Sequence, residues 1–550
     1  MNAMKSNEVK VLAARKIVTM NPQQPYATHV AIRDGKILCV GSREDMLQWS
    51  DVEPDTTFAG KVLTPGFVEG HSHLMEGSMW SAVYLGYYDR RGPDGTRWPG
   101  LQTLDAVIER LRDAQDKMTD PEAPLLAWGF DPIFFGTERL STTQLDRVSA
   151  TRPIVILHAS VHLMNVNTAM LDAAGIDEDT DIEGIVCDAD GKLTGELQEF
   201  AAMFPVYRVI GQGLALSAAD HPEAIWNFGK VAQLAGVTTA TDLLNDLSER
   251  GMRNLAEVTA DASFPVRLVP AFGPQRNPQG GPQHVKDAMK LNTDKLHFGP
   301  VKFIVDGSIQ GFTARLRWPG YVNGKSNGLW LIPPEQLVET FLPFHRAGLQ
   351  LHIHTNGDEA TELVLDAMET LLSQNPRTNH RHTLQHCQMA DARQLERAAR
   401  LGMCINFFAN HLYYWGDAHH TQTMGAERAN RMDPAGTAAK LGIVFGLHSD
   451  APITQLNPLF TAWCAVERKT SSGRVLGEAE RLTAEQALRA VTLGAAYTIG
   501  MDAHVGSIQV GKYADFAVLD EDPLDVEPER LGRLDVWGTI VGGHVFKAPA

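Results

Sequence analysis

From residue 224 onward, two hydrophobic rhythms alternate along the chain. Short apolar runs at 237–241, 266–272, 301–305, 349–354, 382–386, 403–407 and 443–447 read as buried strands. Between most of them apolar residues fall at helical spacing, as in 360–372 and 391–401. An eighth run, 67–73, stands far upstream, after the turn signal Pro65-Gly66. Strands alternating with helices pair in parallel, and eight of them predict an α/β fold, a closed (β/α)8 TIM-like barrel. Such a barrel needs roughly 250 residues, and the chain has 550.

The surplus falls in two places. Runs at 9–12, 16–20, 29–33 and 36–40, with Asp34-Gly35 as a hairpin turn, read as strands, and the pattern returns at 506–520 and 534–546. Both termini are therefore expected to build one small β-sandwich domain, residues 1–64 with 500–550, around a barrel of 65–79 and 226–499. Residues 80–225 are expected to form an α+β insertion after strand one. Its elements are a helix at 101–118, strands at 124–128 and 153–158, and a hairpin turn at 188–191.

Composition narrows the function classes. A formal net charge of −17, without a basic stripe, argues against a nucleic-acid partner. No run is apolar enough to span a bilayer, and the polar start, residues 1–10, lacks a signal-peptide core. The five cysteines (Cys39, Cys187, Cys387, Cys404, Cys464) form no C-x-x-C pair, which favours a reducing cytoplasm.

Chemistry in such barrels sits at the C-terminal strand ends. Strand one ends in His71 and His73, which alternation puts on one side and which can share a metal needing nitrogen at about 2.0–2.1 Å. Strand five ends in His352 and His354, strand six in His386 and strand eight in Asp450. Four imidazoles and a carboxylate at one mouth point to a metal site. Lys302 lies inside the apolar fourth strand. Burial lowers the pKa of such an amine, and carboxylated by carbon dioxide it can bridge two ions about 3.5–4 Å apart. The competing reading is a strand-end lysine paired with Asp306 or another carboxylate.

These residues carry a resemblance. Segments PGFVEGHSH, HASVHLMNVNTAML, VKFIVDGS, HTNGDEA, RHTLQH, GAERA and SDAP resemble the amidohydrolase superfamily, in the branch of N-substituted formamide deformylases and YtcJ-like proteins. The resemblance implies that His71, His73, Lys302, His354, His386 and Asp450 are metal ligands, with Lys302 N6-carboxylated and Asp450 the general base and then acid. It implies a divalent metal, zinc first with iron or manganese as alternatives, one ion or two, and a homodimer. Glu69, Gln385, His448 and Asn406-Phe407-Phe408 depart from the usual pattern.

The expected reaction is hydrolysis of an amide, N-formyl or other N-acyl C–N bond by metal-activated water. Gly357, three residues after His354, replaces the glutamate that a deaminase carries there. Alternatives are a lactone, carbamate or cyclic imide substrate, a deaminase, or a non-catalytic binding relative. His352 reads as a core histidine and His448 as a neighbour of the ligands. For His158, His162, His411, His419 and His420 a surface or capping role is the default, with His162 and His411 singled out. His162, Trp318, His411 and Tyr413 are the candidate substrate-binding residues. They belong with a set of aromatics after strand ends (Trp80, Phe312, Tyr321, Phe408, Tyr414, Trp415) expected to line a pocket for a small-molecule substrate with an apolar or aromatic N-substituent. Arg315 and Arg317 read as solvated loop residues.

Overall fold

The computed structural model describes residues 8–49, 52–136, 138–211, 214 and 217–548. Residues 1–7, 50–51 and 549–550 of the terminal segments, and 137, 212–213 and 215–216 of the expected insertion, lie outside the described residues.

All eight apolar runs fold as strands: Phe67–Glu69, Val237–Asn245, Arg267–Phe272, Val301–Ile304, Leu351–Thr355, Thr383–His386, Cys404–Phe407 and Phe445–Leu447. They are hydrogen-bonded in chain order, every pair parallel, into one eight-stranded sheet. Crossover helices such as Pro222–Leu234, Glu249–Ala260 and Asp358–Gln374 cover its outer face. The core lies in that layer, where Phe67, Phe228, Phe264, Phe303 and Phe341 are fully buried, each worth roughly 1.5–3 kcal/mol.

Strand one has three residues, so His71 and His73 follow it rather than end it. The ladder does not join strands eight and one. Side chains and single bonds close that gap. The Ser449 N–H donates to Glu69 Oε1 at 3.0 Å, with the Ser449 hydroxyl 3.1 Å from Oε2, and the His73 N–H donates to Ala451 O at 2.8 Å.

Both chain ends share one seven-stranded sheet. Its central strand, Asp55–Pro65, pairs in parallel with Lys10–Val18 and antiparallel with Phe516–Leu519. The edge at Lys36–Gly41 curls back onto the segment before Phe516–Leu519, where the Ile37 N–H donates to Lys512 O and the Ala514 N–H to Gly35 O, both at 2.9 Å. Ile17, Val30, Phe58, Leu63, Phe516 and Ile540 fill the space enclosed. Asp34 and Gly35 take φ of 51° and 72°, the left-handed pair that a two-residue hairpin turn requires.

Between strands one and two the chain builds a six-stranded sheet that includes the expected strands, as Leu125–Phe130 and Ile154–His158. The expected helix runs from Leu104 to Asp116, because the Thr103 side chain accepts the Ala106 N–H and fixes its start. A second helix, Glu199–Ile210, escaped the pattern: it is apolar on most sides and contains Pro205. No helix among the described residues is long and apolar enough to cross a membrane.

Arg267, on strand three, joins the terminal sheet to the barrel. Its Nε and Nη2 donate to Asp515 at 2.6 and 2.9 Å, and its guanidinium lies 3.8 Å over the Tyr513 ring. Arg267 and Asp515 are both buried, so removing one partner strands a charge. Arg267→Ala is expected to cost about 3–5 kcal/mol in urea unfolding. Asp515→Ala combined with it should cost less than the two single losses together. Additive losses would show that the pair is not coupled.

Candidate metal centre and catalytic cavity

The turn after strand one, the middle of strand four and the ends of strands five, six and eight bring the predicted ligands together. His71 Nε2 and His73 Nε2 lie 3.3 and 3.2 Å from Asp450 Oδ1, and the three side chains form one group able to hold an ion. Lys302 Nζ is 3.4 Å from His71 Nε2. Its pairing with Asp306 does not form: that carboxylate accepts the N–H groups of Arg315, Asn356 and Gly357, and the carboxylate whose charge acts on Lys302 is Asp450. The His386 ring lies 4.6 Å from that of His71 and 4.4 Å from that of His354. His354 stands at the margin, with Nε2 3.3 Å from Gly307 O and 3.6 Å from Asp306 Oδ1. His386 and Asp450 leave their strands at φ 67° and 53°, a left-handed backbone uncommon outside glycine and concentrated at functional sites.

The positions that depart from the family pattern hold this arrangement. Gln385 Oε1 lies 2.7 Å from His71 Nδ1 and accepts from Asn406 Nδ2 at 3.2 Å, while Gln385 Nε2 is 2.7 Å from His352 Nδ1. The amide oxygen can only accept, so His71 carries its proton on Nδ1 and turns the Nε2 lone pair to the cluster. His352 is a buried core residue. His448 stacks between His71 (4.6 Å) and Phe408 (4.9 Å) and forms a second ion-competent group with His71 and His386. Its membership of the cluster is stronger than its sequence position suggested; the only signal there was its unusual identity two residues before Asp450.

Burial, reinforced by the Lys302 charge, holds His71 and His354 well below the ordinary imidazole pKa, and burial with His354 does the same to His386. All three are therefore neutral lone-pair donors. Burial alone would raise Asp450, but the hydrogen bond and charge of His73, with His448 and Lys302, outweigh it and keep the carboxylate below its usual range. Burial brings the Lys302 amine down to about 7. The cluster fits a divalent cation on its own chemistry: His386 Nδ1 is buried without a hydrogen-bond partner among the described residues, and neutral imidazoles with a carboxylate suit first-row divalent ions.

The cluster floors a cavity of about 970 Å3. His162 and His411 line it, with Phe200, Phe204, Tyr207, Phe312 and Phe408 as an aromatic wall. Glu199 Oε2, 2.9 Å from His162 Nδ1, outweighs burial and raises the His162 pKa. Sequence reading missed Glu199, whose partner lies 37 residues away. Trp318, 94% exposed, and Tyr413, packed on Phe460 and Trp463, stand away from the cavity wall. Trp415 packs against the insertion, donating to Asp131 Oδ2 at 2.9 Å. Arg315 is ion-paired with Glu359, and Arg317 with Glu362 and Asp391, so neither is simply solvated. The surface expectation fails for His158, His411 and His419, which are buried because each has a partner: Asn165 for His158, and a relay from His411 through His419 to Thr423.

Residues 59–546 match the family described as "Amidohydrolase family". The chain belongs to this family. It is 28% identical to YtcJ of Bacillus subtilis, over 96% of this chain and 97% of that protein. It is 26% identical to N-substituted formamide deformylase of Arthrobacter pascens, over 96% of each chain. Among solved structures, an uncharacterized metal-dependent hydrolase from Pyrococcus horikoshii shares the fold at a TM-score of 0.71, with 21% identity over 95% of this chain and 100% of that one. The amidohydrolase is thus a hydrolase of a superfamily that is typically metal-dependent, and its buried histidine cluster can bind an ion.

Gln385→Leu removes the acceptor that orients His71 at nearly the same volume. Zinc affinity, measured by chelator competition, is expected to fall about 10–100-fold. Unchanged affinity would detach this amide from the site.

Proposed function

We propose that this amidohydrolase cleaves the C–N bond of a small N-formyl or N-acyl amine at the floor of its cavity. One observation carries the reading: His71, His73 and Asp450 converge in the cavity, beside the buried His386 Nδ1, which has no hydrogen-bond partner among the described residues. His71, His73 and Asp450, with Lys302, His354 and His386, would hold one or two divalent ions. A bound ion supplies Lewis acidity toward the carbonyl oxygen and brings the pKa of water toward neutrality. Asp450, ionised and facing the cavity, takes the proton of the attacking water and returns it to the departing nitrogen. The aromatic wall accommodates an apolar N-substituent. The likeness to N-substituted formamide deformylase supports the same bond.

Ring deamination fits less well. The position three after His354 is Gly357, where a Cβ would meet Arg315 O at 1.7 Å. Any side chain there, the deaminase glutamate included, requires the Arg315 backbone to move.

Metal content of protein grown with bicarbonate tests the reading. About two ions per chain are expected, falling to one or none in Lys302→Ala, with hydrolysis of N-formyl amines by the wild type only. No ion in either folded protein would overturn it. Carboxylation consumes the neutral amine, and the amine of Lys302 loses its proton near 7. In metal-free protein a carbamate carbon signal from labelled bicarbonate should therefore grow as pH rises through about 7 and fade below it. A signal independent of pH, or one retained in Lys302→Ala, would assign the chemistry elsewhere.

A further inference from the structure

The loops after strands three and four carry Arg276, Arg315 and Arg317 to the mouth of the barrel. The last two are satisfied, Arg315 by Glu359 and Arg317 by Glu362 and Asp391. Arg276 is not. It is partly buried and lines the cavity. Among the described residues its guanidinium makes one hydrogen bond, from Nη2 to Ser217 Oγ at 3.1 Å, and no ion pair. Its link to a carboxylate is indirect, since the Ser217 hydroxyl donates on to Asp246 Oδ2 at 3.0 Å. A guanidinium offers several N–H donors in a rigid fork, and most of these are unused here. Partly withdrawn from water, it has lost hydration that one hydroxyl does not replace and an anion would.

The residues on either side hold Arg276 in place. Gln275 clamps strand four, its Oε1 accepting the Ile304 N–H at 2.8 Å and its Nε2 donating to Ile304 O at 3.0 Å. Asn277 Nδ2 donates to Asp246 O at 3.0 Å, and the Arg276 N–H donates to Gly273 O at 2.9 Å. The base of the side chain is thus fixed while its head keeps free donors, an arrangement organised before a ligand arrives. Its surroundings connect it to both ends of the site. Burial raises the Asp242 carboxyl, and Asn245, the His73 charge, the Leu74 N–H and the Arg276 charge pull against it. Arg276 and the candidate ligand His73 therefore act on one side chain, which puts the guanidinium within reach of a substrate seated on the cluster. Burial likewise raises the Tyr207 phenol against the Arg276 charge, and the Tyr207 ring stacks on Phe200 at 6.0 Å. The aromatic wall thus begins beside the guanidinium. Two further cations line the cavity, Arg139 and Lys325, but both are exposed, where water solvates and screens them.

We propose that Arg276 receives a carboxylate of the substrate, so that the amidohydrolase acts on N-formyl or N-acyl amines whose amine half carries both an apolar group and a carboxylate, as an acylated amino acid does. The choice of scissile bond rests on the reading above; the anion subsite rests on Arg276 and its surroundings. The guanidinium fork matches the two carboxylate oxygens, so it fixes orientation as well as adding affinity. A neutral analogue leaves those donors unpaired and is rejected. The contact lies away from the reacting carbon and is made before and during the reaction alike, so its loss falls on KM rather than on kcat.

A matched pair of compounds tests this: N-formylphenylalanine and N-formylphenylalaninamide, which share formyl group and aromatic ring and differ in the carboxylate charge. With zinc-loaded wild type, kcat/KM is expected to favour the acid by about ten- to hundredfold. In Arg276→Gln, or in Arg276→Met should the first not fold, the preference should fall toward parity, through KM. Because each ratio is taken within one protein, a general loss of activity does not imitate this result. Equal kcat/KM for the pair in the wild type overturns the subsite while leaving C–N hydrolysis intact. A preference that persists undiminished in the variant also overturns it, by placing the carboxylate on the metal or on another cation. If neither compound is cleaved, the hydrolysis reading fails, and calorimetry of the zinc-loaded protein with 3-phenylpropionate and 3-phenylpropionamide decides the subsite alone. Tighter binding of the acid, weakened in the variant, supports it; equal or absent binding, or binding that the variant leaves unchanged, overturns it.

Discussion

The barrel of this amidohydrolase is closed by a carboxyl group. Strands one and eight share no ladder, so Glu69, reaching Ser449 with both oxygens, keeps the first turn of the barrel against the last. That contact, with the bond from the His73 N–H to Ala451 O, sets His71 and His73 opposite Asp450. Burial drives the Glu69 carboxyl up to about 8, against the pull of the Ser449 donors. The proton therefore stays on near neutrality, and the seam closes without leaving a bare anion in the interior. A longer acid than the usual aspartate spans the gap to strand eight.

A second constraint follows from the first. With the mouth drawn together, several imidazoles, an amine and a carboxylate share a small, largely buried volume. Burial and the neighbouring imidazoles and amine suppress protonation of His71, His354 and His386, so these imidazoles stand as lone pairs beside one ionised carboxylate. Such a set is unstable alone and well matched to a cation. Orientation comes from an outer ring of neutral groups, Gln385, Asn406 and Phe408, which touch the imidazoles but carry no charge to compete with an ion.

Much of this was readable in the sequence. The eight strands were visible because they are buried runs, most of them separated by helical spacing, and the candidate ligand residues because they stand at or just after the ends of those runs. Lys302 stood out as a cation in an apolar strand. The shared terminal sheet was visible in its repeated short strands. Other features were not legible, for physical reasons. Helix Glu199–Ile210 has no polar face to give it a period, and the His162–Glu199 pair depends on how the insertion folds over the barrel. Trp318 and Tyr413 follow strand ends as cavity residues do, but proximity in sequence does not say which way a loop turns. The burial of His158, His411 and His419 depends on partners that no spacing rule identifies. Glu69, Gln385 and His448 were conspicuous as departures; their roles needed coordinates.

The seven-stranded sheet also orders the protein's assembly in time. Its central strand, Asp55–Pro65, leaves the ribosome early, yet one of its two neighbours, Phe516–Leu519, is made almost at the end. Throughout synthesis of the insertion and the barrel, that strand keeps an open hydrogen-bonding edge. It also runs directly into strand one, whose residues initiate the ligand cluster. The start of the catalytic barrel is thus anchored to a sheet that only the last-made strands complete.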